Sequence, residues 1–194
     1  MKFDIFSKKQ LIVLTWWTSK SKFKNQKGII CDGSVRSGKS LSMSASYIFW
    51  AMKNFDGQQF GMSGRTVASF KRNVIFWLIP LLKSRGYKVE YKDDTLIVRI
   101  KDKETGKVKI NHFYVFGGRD ESSYATIQGM TAAGWYFDEA ALQPQSFVNQ
   151  AISRCSVKGS KLWFNCNPDM PNHWFKLEFI DKAEELNMLH IHFT

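Results

Sequence analysis

The residues from Gly33 to Ser40 form a glycine-rich segment that ends in a lysine and a serine. They fit the pattern G-x-x-x-x-G-K-[ST], between an apolar run at 29–31 and a helical pattern that begins at Leu41. In such a loop, backbone N–H groups surround the β-phosphate of a nucleotide, the lysine reaches the β- and γ-phosphates, and the serine coordinates Mg²⁺. An ordinary glycine-rich turn is the competing interpretation. The predicted nucleotide contacts are Gly33, Ser34, Val35, Arg36, Ser37, Gly38, Lys39, Ser40 and Leu41.

A second candidate is the acidic pair Asp138-Glu139, which directly follows the apolar run 132–137. At the end of a buried strand, Asp138 would hold Mg²⁺ through water, and Glu139 would orient and deprotonate an attacking water. Acidic pairs also occur as helix N-terminal charges and in surface turns. Combined with a phosphate loop, the pair favours hydrolysis over phosphate transfer to a small molecule.

A third apolar run, 162–164, likewise ends in polar residues, at Asn165 and Asn167. The carboxyl ends of neighbouring strands meet at the ligand crevice of an open α/β sheet, so either amide could contact the γ-phosphate or the attacking water. The segment Asn167–Asp169 also satisfies a plain Asn-Pro turn. The residues alone leave both interpretations open.

The elements that must position these residues alternate between strands and helices. Apolar runs typical of buried strands occupy 28–31, 60–63, 96–100, 110–116, 134–137, 161–164 and 188–193. Helical patterns cover 41–52, 66–83 and 147–155, and Pro80 is expected to kink the second helix or end it early. The turn at 103–106 joins two strand-like runs directly. The predicted fold class is α/β, a mainly parallel central sheet flanked by helices with an added antiparallel β-hairpin.

The composition indicates a folded chain without a membrane span. Of its 194 residues, 44% are hydrophobic and 23% are charged, which suits one compact domain. The three cysteines show neither a disulfide framework nor the spacing of a zinc site. The apolar run 11–17 is far shorter than the roughly 20 residues of a spanning helix, so we expect a soluble, non-secreted protein in a reducing compartment.

The net charge of +11 is concentrated in two tracts. Residues 1–27 hold seven lysines and one acid, and residues 63–109 hold twelve basic and five acidic residues. Because neutralised phosphates release counterions and add sequence-independent affinity, the tracts favour binding of a polyanion such as nucleic acid. A charged surface that only maintains solubility is the alternative.

Taken in order, these motifs resemble the ATPase domain of the large terminase subunit, which packages DNA in tailed bacteriophages and their prophages. The resemblance rests on Asp32–Ser40, Gly64–Thr66, Trp135–Ala140, Asn165–Pro168 and the dipeptide 173–174. It implies a phosphate-loop NTPase of the ASCE type, with residues 1–194 as a single ATPase domain. The C-terminal nuclease domain of the family would be absent, so we expect no DNA cleavage by this polypeptide.

The resemblance also implies roles for individual residues. Lys39 and Ser40 would bind the phosphates of ATP and Mg²⁺, and Asp138 would support the metal. Glu139 would be the catalytic carboxylate of ATP hydrolysis. Asn165 would lie in the motif that couples hydrolysis to movement.

The glutamine and arginine assignments are less specific. Gln10 is similar to the adenine-reading glutamine of the family, although a glutamine near a helix start is more often simply solvated. Motors of this kind usually need an arginine at the transferring γ-phosphate. Arg36 and Arg65 rank above Arg119 for that role, and each of them could equally be a surface residue or a DNA contact.

The implied protein is an ATP-driven motor that moves double-stranded DNA into a procapsid. Its partners would be the DNA, the small terminase subunit, the portal protein and further copies of itself in a ring. The isolated domain could be monomeric. It would act in the host bacterial cytoplasm, docked at the procapsid portal, with no membrane partner.

Two other functions fit the same motifs. One is another phosphate-loop NTPase, either a helicase-like translocase or a nucleoside kinase. The other is a nucleotide-gated DNA-binding module without turnover, in which aromatic side chains could stack on single-stranded bases. The apolar surroundings of the tryptophans at 16, 17, 77 and 163 favour core positions instead.

Overall fold

The computed structural model describes residues 6–34, 37–103, 105–167 and 170–194, and its centre is an eight-stranded sheet. The strands are β1 (Gly28–Gly33), β2 (Gln59–Gly64), β3 (Lys88–Lys92), β4 (Thr95–Lys101), β5 (Val108–Gly117), β6 (Gly134–Phe137), β7 (Lys161–Asn165) and β8 (Met188–Phe193). Their order across the sheet is β3-β4-β5-β2-β6-β7-β1-β8. From β5 to β8 in this order all neighbours are parallel, so the carboxyl ends of these strands meet at one edge.

The strand order confirms the predicted fold class. β7 lies between β1, which leads into the phosphate loop, and β6, which leads into the acidic pair. The observed strand ends lie within two residues of the predicted runs.

The antiparallel part of the sheet has one strand more than the predicted hairpin. β4 pairs antiparallel with β5 as predicted, and β3 adds a further antiparallel strand at the edge. In β3, exposed charged residues alternate with half-buried Val89 and Tyr91, so the sequence shows no apolar run there. Asp93 and Asp94 form the turn to β4 with φ values of 48° and 54°, which aspartate tolerates better than most residues.

Five α-helices accompany the sheet within the described residues. They are α1 (Lys8–Thr15), α2 (Lys39–Asn54), α3 (Val67–Phe70), α4 (Phe76–Ser84) and α5 (Gln145–Arg154). Short 3₁₀ or π-helical segments occupy Lys71–Ile75, Glu121–Ile127, Ala140–Leu142 and Lys176–Ile180. Helix α2 is buried along most of its length, including its serines 42, 44 and 46, so it anchors the phosphate loop in the core.

Of the two outcomes predicted for Pro80, a kink or an early end of the second helix, the early end is wrong. Helix α4 runs through Pro80 and ends at Ser84. Proline removes one helical hydrogen bond, but Leu78 and Leu82 on either side of it are fully buried. Their packing holds the last turn in place, because helices in proteins are stabilised mainly by tertiary contacts.

The sheet separates two apolar clusters. Tyr136 of β6 packs in the same cluster as α2, whereas its neighbours Trp135 and Phe137 pack in the cluster that contains α5. This division follows from the alternation of side chains along a strand. Trp16 and Trp163 are fully buried and Trp17 and Trp77 pack against the first cluster, in agreement with the core interpretation. No helix in the described segments has the length and apolar character that a membrane crossing needs.

Two histidines of β8 hold Asp32, the residue before the first glycine of the phosphate loop. Its carboxylate oxygens lie 2.8 Å from His190 Nε2 and 3.1 Å from His192 Nδ1. Burial acts to raise the pKa of Asp32, but the hydrogen bonds and charges of the two histidines together outweigh burial and hold that pKa below its ordinary value.

This arrangement predicts a pH-dependent contribution to stability. Because the pKa of Asp32 is lower in the folded chain than in the unfolded one, the contribution is complete above the unfolded value of about 4. It is lost as the pH falls through the folded value. We expect Asp32→Asn to lower the free energy of unfolding by about 1–2 kcal/mol at pH 7. Urea denaturation over a pH series checks this, and a difference from wild type that stays constant below about pH 4 would contradict it.

Candidate active site

A cavity of about 350 Å³ opens at the carboxyl edge of the sheet, where β1, β7 and β6 end side by side. Residues of all three sequence motifs line it: Ser37, Gly38, Lys39, Ser40, Leu41, Glu139, Asn165, Cys166 and Asn167. Five of the nine predicted loop contacts are therefore in its wall. Gly33 and Ser34 lie next to the lysine of the loop, and Val35 and Arg36 fall outside the described residues.

Two glycines determine the shape of the phosphate loop. Gly33 and Gly38 have φ values of 109° and 77°, in the left-handed range. A Cβ on Gly33 would collide with the carbonyl group of Phe193 in β8, and a Cβ on Gly38 would collide with the side-chain amide of Gln10. The backbone conformation favours glycine at both positions, and at Gly33 the backbone of Phe193 also leaves no room for a side chain.

Lys39 is the buried cation of the cavity, with 7% of its surface exposed. Its ammonium group donates to the carbonyl oxygens of Gly33 at 2.7 Å and Ser34 at 2.6 Å. Burial lowers the pKa of Lys39 below its ordinary value. The loop thus holds the ammonium group at the cavity wall, where its donors can exchange these carbonyl oxygens for the oxygens of a bound anion.

Asn165, at the end of β7, joins the phosphate loop to the acidic pair. Its side-chain nitrogen donates to Ser40 Oγ at 2.8 Å and to Asp138 Oδ1 at 2.7 Å. Asp138 is 2% exposed and also accepts a hydrogen bond from Tyr136 Oη at 2.8 Å. Burial raises the pKa of Asp138, in spite of the hydrogen bonds from Asn165 and Tyr136.

The same geometry tests whether a divalent cation fits. The Ser40 hydroxyl and the Asp138 carboxylate both lie within 2.8 Å of one nitrogen atom, so these two hard oxygen donors converge. Hydroxyl and carboxylate oxygens are ligands that Mg²⁺ prefers. No cluster of three or more His, Cys, Asp or Glu side chains that could hold a metal occurs in the described part of the chain. The residues fit a cation that also binds phosphate oxygens.

Glu139 lies in the cavity wall in an unusual backbone conformation. Its φ of 52° is in the left-handed region, which glutamate rarely adopts and which strains the backbone by about 1–3 kcal/mol. Glu139 is half-buried and lines the same cavity as the loop residues Lys39 and Ser40. Burial raises the pKa of Glu139, the charge of Asp138 adds to this, and the charge of Arg65 opposes it.

A second cavity, of about 450 Å³, shares Glu139 with the first. Its wall contains Arg65, which follows β2, and Arg119, which follows β5, together with Thr66, Ser69, Asn73 and Leu142. Glu139 belongs to the walls of both cavities. The structure thus places the preferred candidate Arg65 and the lower-ranked Arg119 together.

Gln10 contacts the phosphate loop rather than the cavity described above. Its side-chain nitrogen donates to the Ser37 carbonyl oxygen at 3.1 Å, and its Oε1 accepts from the Ser7 N–H at 2.9 Å in the capping box of α1. The predicted contact with adenine stays a prediction. The observed contact ties α1 to the loop directly beside Gly38.

Three buried residues of the site are missing from the sequence-based prediction. Tyr136 hydrogen-bonds to Asp138, and the side chain of Gln143 hydrogen-bonds to Ser63 and to the backbone of Asp138. The strand alternation offers a signal for Tyr136, because residues two apart on a strand share a face. Gln143 and Ser63 show no such signal.

Comparison with known proteins gives a consistent assignment. Residues 30–190 match the family described as terminase large subunit, T4likevirus-type, N-terminal. The large terminase of a thermophilic bacteriophage, in complex with ADP, is 54% identical, with a TM-score of 0.92 over 97% of this chain and 46% of that one. The complex of the same phage terminase with ATP-gamma-S is 55% identical, with a TM-score of 0.88 over 98% and 45%. This chain therefore spans less than half the length of that terminase.

A more distant structure agrees in fold. The ATPase domain of the Thermus phage P74-26 large terminase is 18% identical, with a TM-score of 0.69 over 97% of this chain and 80% of that one. No match was found among curated protein sequences. The family match over most of the chain, with the same fold in both phage proteins, shows that this chain belongs to the terminase large subunit family and corresponds to its N-terminal region.

Proposed function

We propose that residues 1–194 form the ATP-hydrolysing motor domain of a phage large terminase, which drives double-stranded DNA into a procapsid. The observation that carries the proposal is one cavity whose wall contains Lys39 and Ser40 of the loop together with Glu139. The complexes of the thermophilic phage terminase with ADP and with ATP-gamma-S support a nucleotide as the ligand of this cavity.

In this proposal the phosphate loop binds the β- and γ-phosphates of ATP. Lys39 transfers its hydrogen bonds from the carbonyl groups of Gly33 and Ser34 to phosphate oxygens. Ser40 would hold Mg²⁺ directly and Asp138 would hold it through water, and the cation would supply charge neutralisation on the phosphate oxygens. Asp138 is suited to this role because its hydrogen bonds from Tyr136 and Asn165 fix the carboxylate.

Glu139 acts as the general base that orients and deprotonates the attacking water. Its burial and the neighbouring Asp138 charge both raise its pKa, which strengthens it as a base. Asn165 contacts the Ser40 and Asp138 side chains and lies in the same wall, so its amide can respond when γ-phosphate leaves. Arg36 and Arg65 are the proposed sources of positive charge at the γ-phosphate, ahead of Arg119.

The working assembly in this proposal is a ring of copies docked at the portal of a procapsid in the host bacterial cytoplasm. The small terminase subunit, the portal protein and double-stranded DNA are its partners. Membership of the terminase family supports such partners in general terms. The two basic tracts provide the positive charge that a DNA-binding surface needs.

Steady-state phosphate release from ATP tests the proposed activity. We expect release in the presence of Mg²⁺, faster with double-stranded DNA and independent of the DNA sequence. A nucleoside kinase would instead transfer the phosphate to an added nucleoside. The measurement is made at protein concentrations at which the chain assembles. If double-stranded DNA does not change the rate of phosphate release there, the proposal of a motor loses its support.

DNA binding by the second basic tract is a separate prediction. Lys88 and Lys92 are exposed on the edge strand β3. Because each neutralised phosphate adds about 0.9 to the slope of log affinity against log salt concentration, we expect the double substitution Lys88→Ala and Lys92→Ala to make this slope shallower by roughly 1–2. Fluorescence anisotropy with labelled double-stranded DNA over a salt series measures it.

A matched pair of substitutions controls for net charge. Lys158 and Lys182 are exposed and lie outside both tracts, so Lys158→Ala with Lys182→Ala should leave the salt slope unchanged. Equal changes in the two double variants would show that only net charge matters, and binding that does not depend on salt would contradict the phosphate contact itself.

A further inference from the structure

Gln143 is a buried polar residue outside the nucleotide cavity. Its side chain is almost completely enclosed, with 2% of the residue exposed, directly after the 3₁₀ turn Ala140–Leu142. Both the oxygen and the nitrogen of its side-chain amide form hydrogen bonds. Oε1 accepts from the Ser63 hydroxyl at 2.8 Å, and Nε2 donates to the Asp138 carbonyl oxygen at 2.9 Å and to the Ser63 carbonyl oxygen at 3.4 Å.

These hydrogen bonds connect the ends of two neighbouring strands. Ser63 is fully buried near the end of β2, and its hydroxyl also accepts a hydrogen bond from the Trp135 indole at 3.0 Å. The Asp138 N–H donates to the Ser63 carbonyl oxygen at 2.7 Å. Gln143 thus completes a hydrogen-bonded group that holds the segment after β6 against the end of β2.

The end of β5 joins the same group. The Gly118 N–H donates to the Gly64 carbonyl oxygen at 2.9 Å. A Cβ on Gly118 would lie 3.2 Å from Gln143 Oε1 and 3.0 Å from Phe147. This segment therefore approaches the amide so closely that only a residue without a side chain fits without displacement.

Each of these three hydrogen-bonded segments is followed directly by a charged residue that lines the second cavity. Arg65 follows Gly64, Arg119 follows Gly118, and Glu139 follows Asp138. Glu139 is in a strained left-handed conformation, which persists only where the surroundings enforce it. The backbone bonds of the turn, from Leu142 N–H to Glu139 at 2.8 Å and from Gln143 N–H to Ala140 at 3.2 Å, lie between Glu139 and the Gln143 side chain.

We propose that Gln143 is a positioning residue, which fixes the Glu139 carboxylate relative to Arg65 and Arg119 through its hydrogen bonds to Ser63 and Asp138. This inference rests on the proposed ATP hydrolysis for its kinetic consequence. The structural part of the inference, that Gln143 orders the turn 138–143, does not depend on ATP hydrolysis. An apolar side chain would fill the same space without these bonds, and a carboxylate would place an acceptor against the Asp138 carbonyl oxygen.

The test uses Gln143→Glu and Gln143→Leu, with Asn111→Asp and Asn111→Leu as matched controls. Asn111 is likewise fully buried and uses both ends of its amide, accepting from the Gln58 N–H at 2.9 Å and donating to the Phe55 carbonyl oxygen at 3.0 Å. It lies on β5, away from both cavities. Two readouts are compared in each variant: kcat and KM for ATP, and hydrogen–deuterium exchange of peptides covering 138–143.

We expect both Gln143 variants to lower kcat by about 10- to 100-fold, as a small displacement of a catalytic group does, with KM for ATP changed less than threefold. Exchange in 138–143 should accelerate. The Asn111 variants should lower the denaturation midpoint without either effect. Where Gln143→Leu does not fold, Gln143→Glu, which has nearly the same shape, gives the answer.

Unchanged exchange in 138–143 in a folded Gln143 variant would overturn the proposal, and so would a loss of kcat that the Asn111 variants share. If the wild type does not hydrolyse ATP, the proposed function fails, but accelerated exchange confined to the Gln143 variants still supports the positioning role.

Discussion

Glu139→Gln should lower kcat for ATP hydrolysis by about 10²- to 10⁴-fold, the usual contribution of a general base, while ATP binding stays close to that of the wild type. The reason is geometric. Glutamine has the size of glutamate and preserves the packing in the wall shared by the two cavities, but it cannot accept a proton from water at neutral pH. Phosphate release under saturating ATP, together with equilibrium binding of a fluorescent ATP analogue, measures both quantities.

Glu184→Gln is the control for this substitution, because Glu184 is exposed and lines neither cavity. It should behave as the wild type in both measurements. Retention of more than about a tenth of the wild-type kcat in Glu139→Gln would mean that another group activates the water, and the assignment of Glu139 would then be wrong.

Lys39→Met should remove most nucleotide affinity as well as turnover. Methionine keeps an unbranched side chain but loses the charge, and hydrogen bonds to charged groups contribute about 1.5–3 kcal/mol each. We therefore expect ATP binding at least 10-fold weaker, since about 1.4 kcal/mol corresponds to a factor of ten. Isothermal titration calorimetry with ATP and Mg²⁺ gives the affinity directly.

Lys161→Met provides the matched control. Lys161 is half-buried, whereas Lys39 is buried. As in Lys39, burial lowers the pKa of Lys161, and its ammonium group donates to backbone carbonyl oxygens, including that of Lys24 at 2.9 Å. It lies at the start of β7, at the opposite end of that strand from Asn165. Loss of stability without loss of ATP affinity is expected there. Equal loss of affinity in both variants would refute a phosphate-binding role for Lys39.

The phosphate loop and the acidic pair can be predicted from the sequence because their chemistry depends on neighbouring residues. Gly33 to Ser40 is one continuous segment, and its strand and helix are visible as an apolar run and a helical pattern. The location of Asn165 at the ligand edge can be predicted from its place after an apolar run, because parallel strands bring such positions to one edge. The residues alone do not decide between a ligand contact and a plain Asn-Pro turn. The contacts among these residues are visible only in the structure, where the side-chain amide of Asn165 donates hydrogen bonds to both Ser40 and Asp138.

The features that could not be predicted from the sequence depend on residues far apart in the chain or on polar patterns. Gln143 hydrogen-bonds to Ser63, which is 80 positions away, and no local pattern indicates that pairing. The strand β3 alternates charged residues with only two apolar ones, so it shows no apolar run. The positive φ of Glu139 is equally hidden, because glutamate is not a residue that favours the left-handed region.

The continuation of α4 through Pro80 shows a further limit. The local rule concerns one lost hydrogen bond and a steric clash, whereas the outcome depends on the burial of Leu78 and Leu82 against the rest of the core. The point at which this helix ends is therefore determined by tertiary packing, which the sequence does not show.

A single-turnover experiment tests the central claim most directly. The protein, in excess over ATP labelled at the γ-phosphate, is mixed with Mg²⁺ and double-stranded DNA, and the products are separated over time. The account predicts that the bound ATP becomes ADP and free phosphate in equal amounts, and that Glu139→Gln binds the same ATP but leaves it intact. ATP that stays intact on the wild-type protein, or label that appears on another nucleoside, would contradict it.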